Sequence, residues 1–173
     1  STDDLFALEM LHRYEQEGRC RLLGVVVDRM GEANAAIADV MNTYFGHPDT
    51  PIGLVREGIA APQVWIDYGA LPTYTNDDGT PMFRRSVSDY SALPDGYVLY
   101  RRLLAAQPDH SVSICSIGFV TALAALLQSG GDEYSPLSGV ELVRQKVKCI
   151  YQMGGVFGQS VEPDFNLSQG ITF

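Results

Sequence analysis

The sequence predicts an α/β fold in which a mostly parallel, Rossmann-like sheet is flanked by helices. Short apolar runs typical of strands alternate along the chain with amphipathic patterns typical of helices. The strand-like runs are continuously apolar, as at residues 22–27, which favours parallel strands covered on both faces. The chain has no internal repeat and 173 residues, so we assign residues 1–173 to a single domain.

The first half of the chain contains two helix–strand units. Leu5, Leu8 and Leu11 recur at helical spacing, and Gly18 is a helix stop signal. A second apolar stripe that includes Val40 predicts another helix. The predicted elements are a helix at 2–17, a strand at 21–27, a helix at 32–45 and a strand at 51–55.

The second half resumes this pattern after an irregular stretch at residues 57–94. A loop of that length in a compact domain is usually functional or partly disordered. We expect the last strand to be central and buried, because Cys149, Ile150, Tyr151 and Met153 form a nearly continuous apolar run. The predicted elements are a helix at 97–106, a strand at 111–117, helices at 121–128 and 138–145, and a strand at 148–153.

The composition limits the classes of ligand. A net charge of −9 argues against binding a nucleic-acid backbone and is compatible with a neutral or cation-bridged ligand. No apolar run is long enough to cross a membrane, and the N-terminal residues do not have the charged-then-apolar pattern of a signal segment. We therefore expect a cytoplasmic protein, with a secreted or periplasmic location left open. Cys20, Cys115 and Cys149 show no metal-ligand spacing, and we expect reduced, buried thiols.

Two adjacent carboxylates, Asp3 and Asp4, open the first helix. Adjacent aspartates repel each other, so a site that keeps both ionised usually holds a cation or a polyol between them. In a parallel sheet, ligands bind beyond the carboxyl ends of the strands, and here loops at 28–31, 118–121 and 154–166 follow strands. We expect the site where these loops and the two aspartates lie. No Walker loop or dinucleotide glycine fingerprint is present.

Four segments, in this order, resemble the inosine-uridine-preferring nucleoside hydrolase family. Asp3-Asp4-Leu5-Phe6-Ala7-Leu8 is similar to the end of the family's Asp-x-Asp-x-x-x-Asp-Asp loop and the helix after it. The strand at 22–27 leads into Asp28, where the family has an Asn that helps to hold the ribose. Residues 116–124 are similar to the family's Leu-Gly-Pro-Leu-Thr-Asn-Leu-Ala segment. Met153-Gly154-Gly155-Val156-Phe157 with Asp164-Phe165-Asn166 resembles its Met-Gly-Gly and Glu-Phe-Asn segments.

The resemblance implies that the chain covers only about half of the family fold and is incomplete at both ends. The family's first two aspartates would lie before Ser1, and its late His and Asp would lie after Phe173. The general base is therefore expected upstream of Ser1. We expect no hydrolase activity from the 173-residue chain alone.

The resemblance also implies a Ca²⁺ cofactor, with Asp4 and the backbone carbonyl of Thr121 among its ligands. Calcium prefers several oxygen ligands, and it would orient the ribose hydroxyls and a water whose pKa it lowers. An upstream Asp would take a proton from that water, which attacks C1′ through a transition state like an oxocarbenium ion. The implied substrate contacts are Asp3, Asp28, Asp164 and Asn166.

Each of these residues also has an ordinary structural interpretation. Asp3 and Asp4 can be first-turn carboxylates that the helix dipole favours, and Thr121 can be the N-cap of the helix it opens. The residues at 164–166 include common turn formers, and Asp28 can be a surface residue at a strand end.

The middle of the chain departs from the family pattern. Many members carry a His-Gly motif there, close to the nucleobase, whereas this chain has no histidine between His47 and His110. We expect these two and His12 to be surface histidines. The remaining candidates for lining the pocket are Arg84, Arg85 and Tyr90.

Two functions stay open at this point. The first is a calcium-dependent hydrolase of the N-glycosidic bond of ribonucleosides or a related ribosyl substrate. Such an enzyme would act on a small-molecule nucleoside or riboside as a homo-oligomer, without nucleic-acid or membrane partners. The alternative is a non-catalytic ribosyl-binding or structural relative. An Asp four residues before Asp3 would favour the enzyme.

Overall fold

The computed structural model describes residues 2–58 and 68–154. Its helices and strands in chain order are α1 (Thr2–Gln16), β1 (Val25–Val27), α2 (Glu32–Tyr44), β2 (Ile52–Leu54), α3 (Gly96–Ala105), β3 (Val112–Ser116), α4 (Thr121–Gln128), α5 (Gly139–Lys146) and β4 (Val147–Gln152). Two short 3-10 helices, Tyr68–Thr73 and Tyr90–Ala92, lie between β2 and α3. The predicted α/β fold class is confirmed, although β1 is shorter than the apolar run that predicted it. Within these residues, no helix is both long and apolar enough to cross a membrane.

The four strands form two parallel pairs. β1 lies beside β2 with Val25 opposite Ile52, and β3 lies beside β4 with Ile114 opposite Ile150. Parallel neighbours need a crossover connection, which α2 supplies for the first pair and α4 and α5 supply for the second. Over residues 2–58 and 68–154, no hydrogen-bonded ladder joins one pair to the other.

β4 is more exposed than the sequence predicts. Ile150, Tyr151 and Met153 are 42%, 62% and 43% exposed, so the expectation of a buried central strand is wrong. In the described part of the chain, β4 pairs with β3 alone, and α5 is the helix that contacts it. Apolar side chains therefore reach solvent where cover on both faces was expected.

The cysteines are free, as expected, but none of the three is buried as expected. Cys20 and Cys115 are exposed, and Cys149 is half-buried. In β3 the side chains of Ile114 and Ser116 are buried, and Cys115 between them points to the opposite face. The apolar run around Cys115 predicted the strand correctly but not the face on which its sulfur lies.

Helix α3 packs between the first strand pair and the helices of the second. It contacts β1 and β2 on one side and α4 and α5 on the other, with Leu99 and Leu104 fully buried. Helix α3 can approach this closely because glycines, which have no side chain, lie at the contact. A Cβ at Gly53 would lie 3.0 Å from the Cβ of Leu99, and one at Gly96 would lie 2.7 Å from Cγ1 of Val26. No larger residue fits at either position without displacing the helix.

A buried carboxylate holds the irregular middle segment against α2. Asp39 is fully buried and accepts hydrogen bonds from the Ser86 N–H at 3.0 Å, the Val87 N–H at 2.9 Å and the Tyr90 hydroxyl at 2.7 Å. Burial acts to raise the pKa of Asp39, but these hydrogen bonds together outweigh it and lower the pKa. Tyr90 is buried on Asp39 and is therefore a structural residue, not a pocket-lining one.

A buried arginine holds the loop between α4 and α5 in place, as Asp39 does for the middle segment. Arg101 in α3 is 1% exposed, and its Nε donates to Oδ2 of Asp132 at 2.6 Å. Its two other nitrogens donate to the hydroxyl of Ser129 and to the carbonyls of Ser135 and Leu137. Because every side of the guanidinium has a partner, the charge is compensated in the interior.

The first helix contains a buried histidine, which corrects the expectation of a surface residue. His12 is 0% exposed and stacks on Phe45 with ring centroids 5.3 Å apart. Desolvation by burial is the main cause that lowers the pKa of His12, so the ring is neutral at pH 7. His47 is half-buried, whereas His110 is exposed as predicted.

Replacing Gly53 with Ala should destabilise the protein by about 1–3 kcal/mol, because the added methyl overpacks the contact with α3. Gly130→Ala is the control, since a Cβ at Gly130 would meet nothing within 4 Å. Urea denaturation of both variants measures the difference. Equal stabilities would show that α3 moves away from β2 without cost.

Asp39→Asn should destabilise the protein at pH 7 by on the order of 2–3 kcal/mol, because the amide cannot accept every hydrogen bond that the carboxylate accepts. The pKa of Asp39 is lowered in the folded state, so its stabilisation is present at neutral pH and is lost as the pH falls through that pKa. The gap between wild type and variant should therefore narrow in acid. Asp49→Asn, at an exposed position, is the matched control for thermal denaturation across pH.

Candidate functional site

Loops that follow three successive strands of the parallel pairs lie together at their carboxyl edge. Asp28 comes directly after β1, and its Oδ1 accepts a hydrogen bond from the N–H of Ala122 in α4 at 2.9 Å. Gly58, beyond β2, is also close to α4, because a Cβ there would lie 3.4 Å from Cγ2 of Thr121. The structure thus brings together Asp28 and the segment of Thr121, two regions that the sequence predicted to share a site.

Asp28 supplies the cap that α4 lacks locally. The N-cap of α4 is Val120, whose side chain makes no capping hydrogen bond, and Thr121 is the first helical residue. The N-cap interpretation of Thr121 is therefore wrong. The first N–H groups of a helix have no partner within it, and the carboxylate of Asp28 reaches one of them from the neighbouring strand. Gly118 lies beside this carboxylate, since a Cβ there would be in ordinary contact with Cβ of Asp28 at 3.6 Å.

The surroundings of Asp28 change its acidity. Burial raises the pKa of Asp28 to about 7, and the hydrogen bond from Ala122 offsets only part of that effect. The nearby Tyr100 has a raised pKa, first because of burial and then because of the charge on Asp28. Near neutral pH, Asp28 can therefore exist with or without its proton. It can donate a hydrogen bond to a ligand hydroxyl or accept one.

Asp3 and Asp4 lie in the first turn of α1, as predicted. Asp3 is exposed, whereas Asp4 is half-buried with one carboxylate oxygen shielded from solvent. The same turn is fixed to the middle segment, because the hydroxyls of Thr2 and Tyr68 are 2.7 Å apart. Across residues 2–58 and 68–154, neither aspartate belongs to a cluster of three His, Cys, Asp or Glu ligand atoms.

The remaining predicted contacts lie outside the described residues. These are Asp164 and Asn166, together with Gly155, Val156 and Phe157 of the Met-Gly-Gly segment. Their assignment as sugar contacts stays a prediction.

An arginine that was not predicted as a site residue lies at the same edge. Arg56 follows β2, and its Nη2 donates to the carbonyl of Ser91 at 2.8 Å and to that of Leu93. Its Nε donates to Oδ1 of Asp95 at 3.0 Å. These contacts fix the approach to α3 beside the end of β2. The available signal was its position, since a charged residue directly after a buried strand points to the edge where ligands bind.

A second group of residues, elsewhere in the fold, was also not predicted from the sequence. Its side chains are of the types that ligate metals. His12, Glu15 and His47 place ligand atoms within 4.8 Å of one another. The signal in the sequence was His12 and Glu15 three residues apart on one helix, which puts both on the same face. The described residues therefore contain a group of side chains that could hold a metal ion, although they are not the residues predicted to bind the cofactor.

Two solved structures have a similar fold. One is the crystal structure of the type III effector protein XopQ complexed with adenosine diphosphate ribose, with a TM-score of 0.62 and 22% identity over 92% of this chain. The other is the crystal structure of the effector protein XOO4466, with a TM-score of 0.65 and 22% identity over 96% of this chain. The chain spans 41% and 45% of those two chains, so it corresponds to less than half of either.

These similarities establish that the chain shares its α/β fold with part of the two effector proteins, and nothing finer. No protein-family model matches the chain, and no curated protein matches it in sequence. Membership of the inosine-uridine-preferring family therefore stays a hypothesis.

Asp28→Asn should flatten the dependence of stability on pH. The folded pKa of about 7 lies above the unfolded value of 3.8, so the wild type loses stability as the pH rises through that window. The amide of the variant does not titrate but can still accept the hydrogen bond from Ala122. The variant should thus be more stable than wild type above about pH 7, by on the order of 2 kcal/mol after discounting for partial exposure.

Urea denaturation at several pH values between about 5 and about 8 measures this difference. Asp77→Asn, at an exposed site, is the control. Parallel curves for wild type and Asp28→Asn would mean that Asp28 is already ionised at mildly acidic pH.

Proposed function

We propose that the protein binds the ribosyl group of a small molecule at the carboxyl edge of its strands and hydrolyses the N-glycosidic bond with the help of calcium. The observation that carries this proposal is the convergence of Asp28 and the Thr121 segment, joined through the Ala122 N–H at 2.9 Å. The fold supports it, because ligands of parallel α/β sheets bind beyond the carboxyl ends of the strands. The structural neighbour XopQ was crystallised with adenosine diphosphate ribose, which contains ribosyl groups.

The direction of α1 supports placing Asp3 and Asp4 near the same edge. The end of α1 lies beside the start of β1, since the Leu22 N–H donates to Glu15 at 3.0 Å. From this contact we infer that α1 runs roughly antiparallel to β1. The 15 residues of α1 extend about 22 Å, which is enough to bring its first turn back to the edge where β1 ends.

The proposed calcium ligands are oxygen donors, as calcium prefers. Asp4 would hold the ion through its carboxylate, whereas the backbone carbonyl of Thr121, the first helical residue of α4, would join it only if the first turn of that helix opened. Bound there, calcium would supply orientation of the ribose hydroxyls and of a water, and would lower the pKa of that water. The half-buried position of Asp4 favours this role over that of an ordinary surface carboxylate.

The protein's own side chains would position the sugar. Asp3 is exposed, so its carboxylate can accept hydrogen bonds from ribose hydroxyls. Asp28 can donate or accept, because its raised pKa of about 7 keeps a proton on part of the population. Negative charge around the ring would stabilise an oxocarbenium-like transition state. Asp164 and Asn166 would complete the contacts to the sugar. The general base would come from the intact protein beyond Ser1.

A second candidate is ribosyl binding without hydrolysis. A partly protonated Asp28 favours it, since a neutral carboxyl suits recognition of hydroxyls and contributes less to stabilising positive charge. The middle segment also favours binding without hydrolysis. In the described part of that segment, the Tyr90 hydroxyl donates its hydrogen bond to Asp39, so it is not available to donate to a leaving group.

Asp4→Asn in the intact protein should abolish calcium-dependent binding of adenosine diphosphate ribose, because it removes a charged ligand without changing size. Isothermal titration with and without Ca²⁺ measures this, and Asp49→Asn is the control. Unchanged calcium dependence in the Asp4→Asn protein would remove Asp4 from the metal site.

Release of product from a nitrophenyl riboside separates the two candidates. This leaving group departs without a proton donor, so a calcium-dependent hydrolase should cleave it faster than inosine, for which a missing donor costs about 10²–10⁴-fold. Binding without product release from either compound would support the non-catalytic relative.

A further inference from the structure

Three ligating side chains meet at the amino ends of the strands, on the side opposite to the proposed ribosyl site. His12 and Glu15 lie one turn apart on α1, and His47 lies in the connection between α2 and β2. Their ligand atoms are within 4.8 Å of one another. In the described residues this is the one such group of three.

The imidazole of His12 is oriented by a neighbour that fixes its tautomer. Its Nε2 is 2.9 Å from Oδ1 of Asn42, and the Nδ2 of that amide donates to the carbonyl of Thr50 at 3.4 Å. Because the amide oxygen only accepts, Nε2 carries the proton and Nδ1 presents its lone pair. A metal-bound histidine is typically held in this way through its second nitrogen.

Glu15 and His47 are oriented in the same manner. Oε1 of Glu15 accepts the Leu22 N–H at 3.0 Å, which leaves Oε2 directed toward His47, 3.4 Å from its Nδ1. The backbone of His47 is fixed at both ends: its N–H donates to the Asn42 carbonyl at 2.8 Å, and its carbonyl accepts the Thr50 N–H at 3.1 Å.

Burial separates this group from an ordinary surface cluster. His12 is 0% exposed, yet its Nδ1 has no hydrogen-bond partner in the part of the chain that the structure describes. A buried acceptor without a partner is costly, so a site that leaves one usually has a reason. The side chains of His47 and Glu15 are 30% and 16% exposed, which leaves a path from solvent to the buried nitrogen.

We propose that His12 Nδ1, Glu15 Oε2 and His47 Nδ1 bind a transition-metal ion of the zinc class, with water as a fourth ligand. Two imidazoles and one carboxylate are a zinc ligand set, whereas calcium requires oxygen ligands throughout. Tetrahedral zinc with bonds of about 2.0–2.1 Å separates its ligand atoms by about 3.3 Å. The Glu15–His47 pair is already 3.4 Å apart, so closure requires mainly a small movement of His12.

The ion would fasten α1 to the connection that leads into β2. It shares no ligand with the proposed ribosyl site, so the two proposals rest on different residues. Failure of one proposal therefore leaves the other intact.

Zinc titration of the metal-free protein tests the proposal. Calorimetry is carried out in a background with Cys20, Cys115 and Cys149 replaced by Ser, so that thiolates cannot bind the ion. We expect one Zn²⁺ per chain and a higher melting temperature with zinc, but no such effect of Ca²⁺ at the same concentration. Absence of binding in this background would overturn the proposal.

Variants at the two partly exposed ligands avoid disturbing the core. His47→Gln and Glu15→Gln should each weaken zinc binding by more than about tenfold and remove the thermal shift. The amide introduced by Glu15→Gln keeps an oxygen that can accept the Leu22 N–H. His110→Gln and Glu9→Gln, both at exposed positions, should bind zinc as the parent does. Equal affinity in all four variants would assign the zinc to another place and overturn the proposal.

Discussion

The close approach of α3 to the first strand pair is the constraint on which the arrangement of the rest depends. Leu99 enters the space that a side chain at Gly53 would occupy, and Val26 does the same at Gly96. The same helix contacts α4 and α5, which carry the connections of the second strand pair. In the described residues the two pairs share no ladder of hydrogen bonds, so helix packing determines how they lie relative to each other. The approach of Asp28 to Ala122 follows from that packing.

Two buried charged groups take the place of regular structure in the irregular segments. Asp39 replaces a sheet or helix partner for the chain around Ser86 and Val87, and Arg101 does so for the loop that begins at Ser129. Such networks are stable only when every member has a partner, since a half-satisfied buried charge costs more than an apolar core. The chain's irregular segments are therefore specified by single residues rather than by a repeating pattern.

The helices and strands could be predicted because hydrophobic periodicity is a local property. Burial could not, because it depends on partners distant in sequence. Tyr151 sits in an apolar run but is 62% exposed, while His12 sits on a helix face that looks polar but is fully buried. The leucines that the periodic pattern of α1 marked as core-facing are only half-buried, whereas His12, which α2 covers, is the one fully buried residue of that helix.

The candidate site, too, could be predicted only where it depends on local sequence. Asp28 and Thr121 were found because strand ends are visible in sequence, and the parallel topology brings them together. The raised pKa of Asp28 was not predictable, since it depends on how deeply the folded chain buries the carboxyl group. Likewise, nothing near Tyr90 in sequence shows that its hydroxyl belongs to Asp39, 51 residues away.

Helix α1 carries chemistry at both of its ends. Asp3 and Asp4 occupy its first turn, and His12 and Glu15 lie near its last. A helix with intact backbone hydrogen bonds transmits displacement along its axis almost undiminished over the roughly 12 Å between Asp4 and His12. A shift of the imidazole along the helix axis would therefore move the two carboxylates by a similar amount. Helix α1 is rigid along its axis, so its two ends cannot move relative to each other unless its backbone hydrogen bonds are broken.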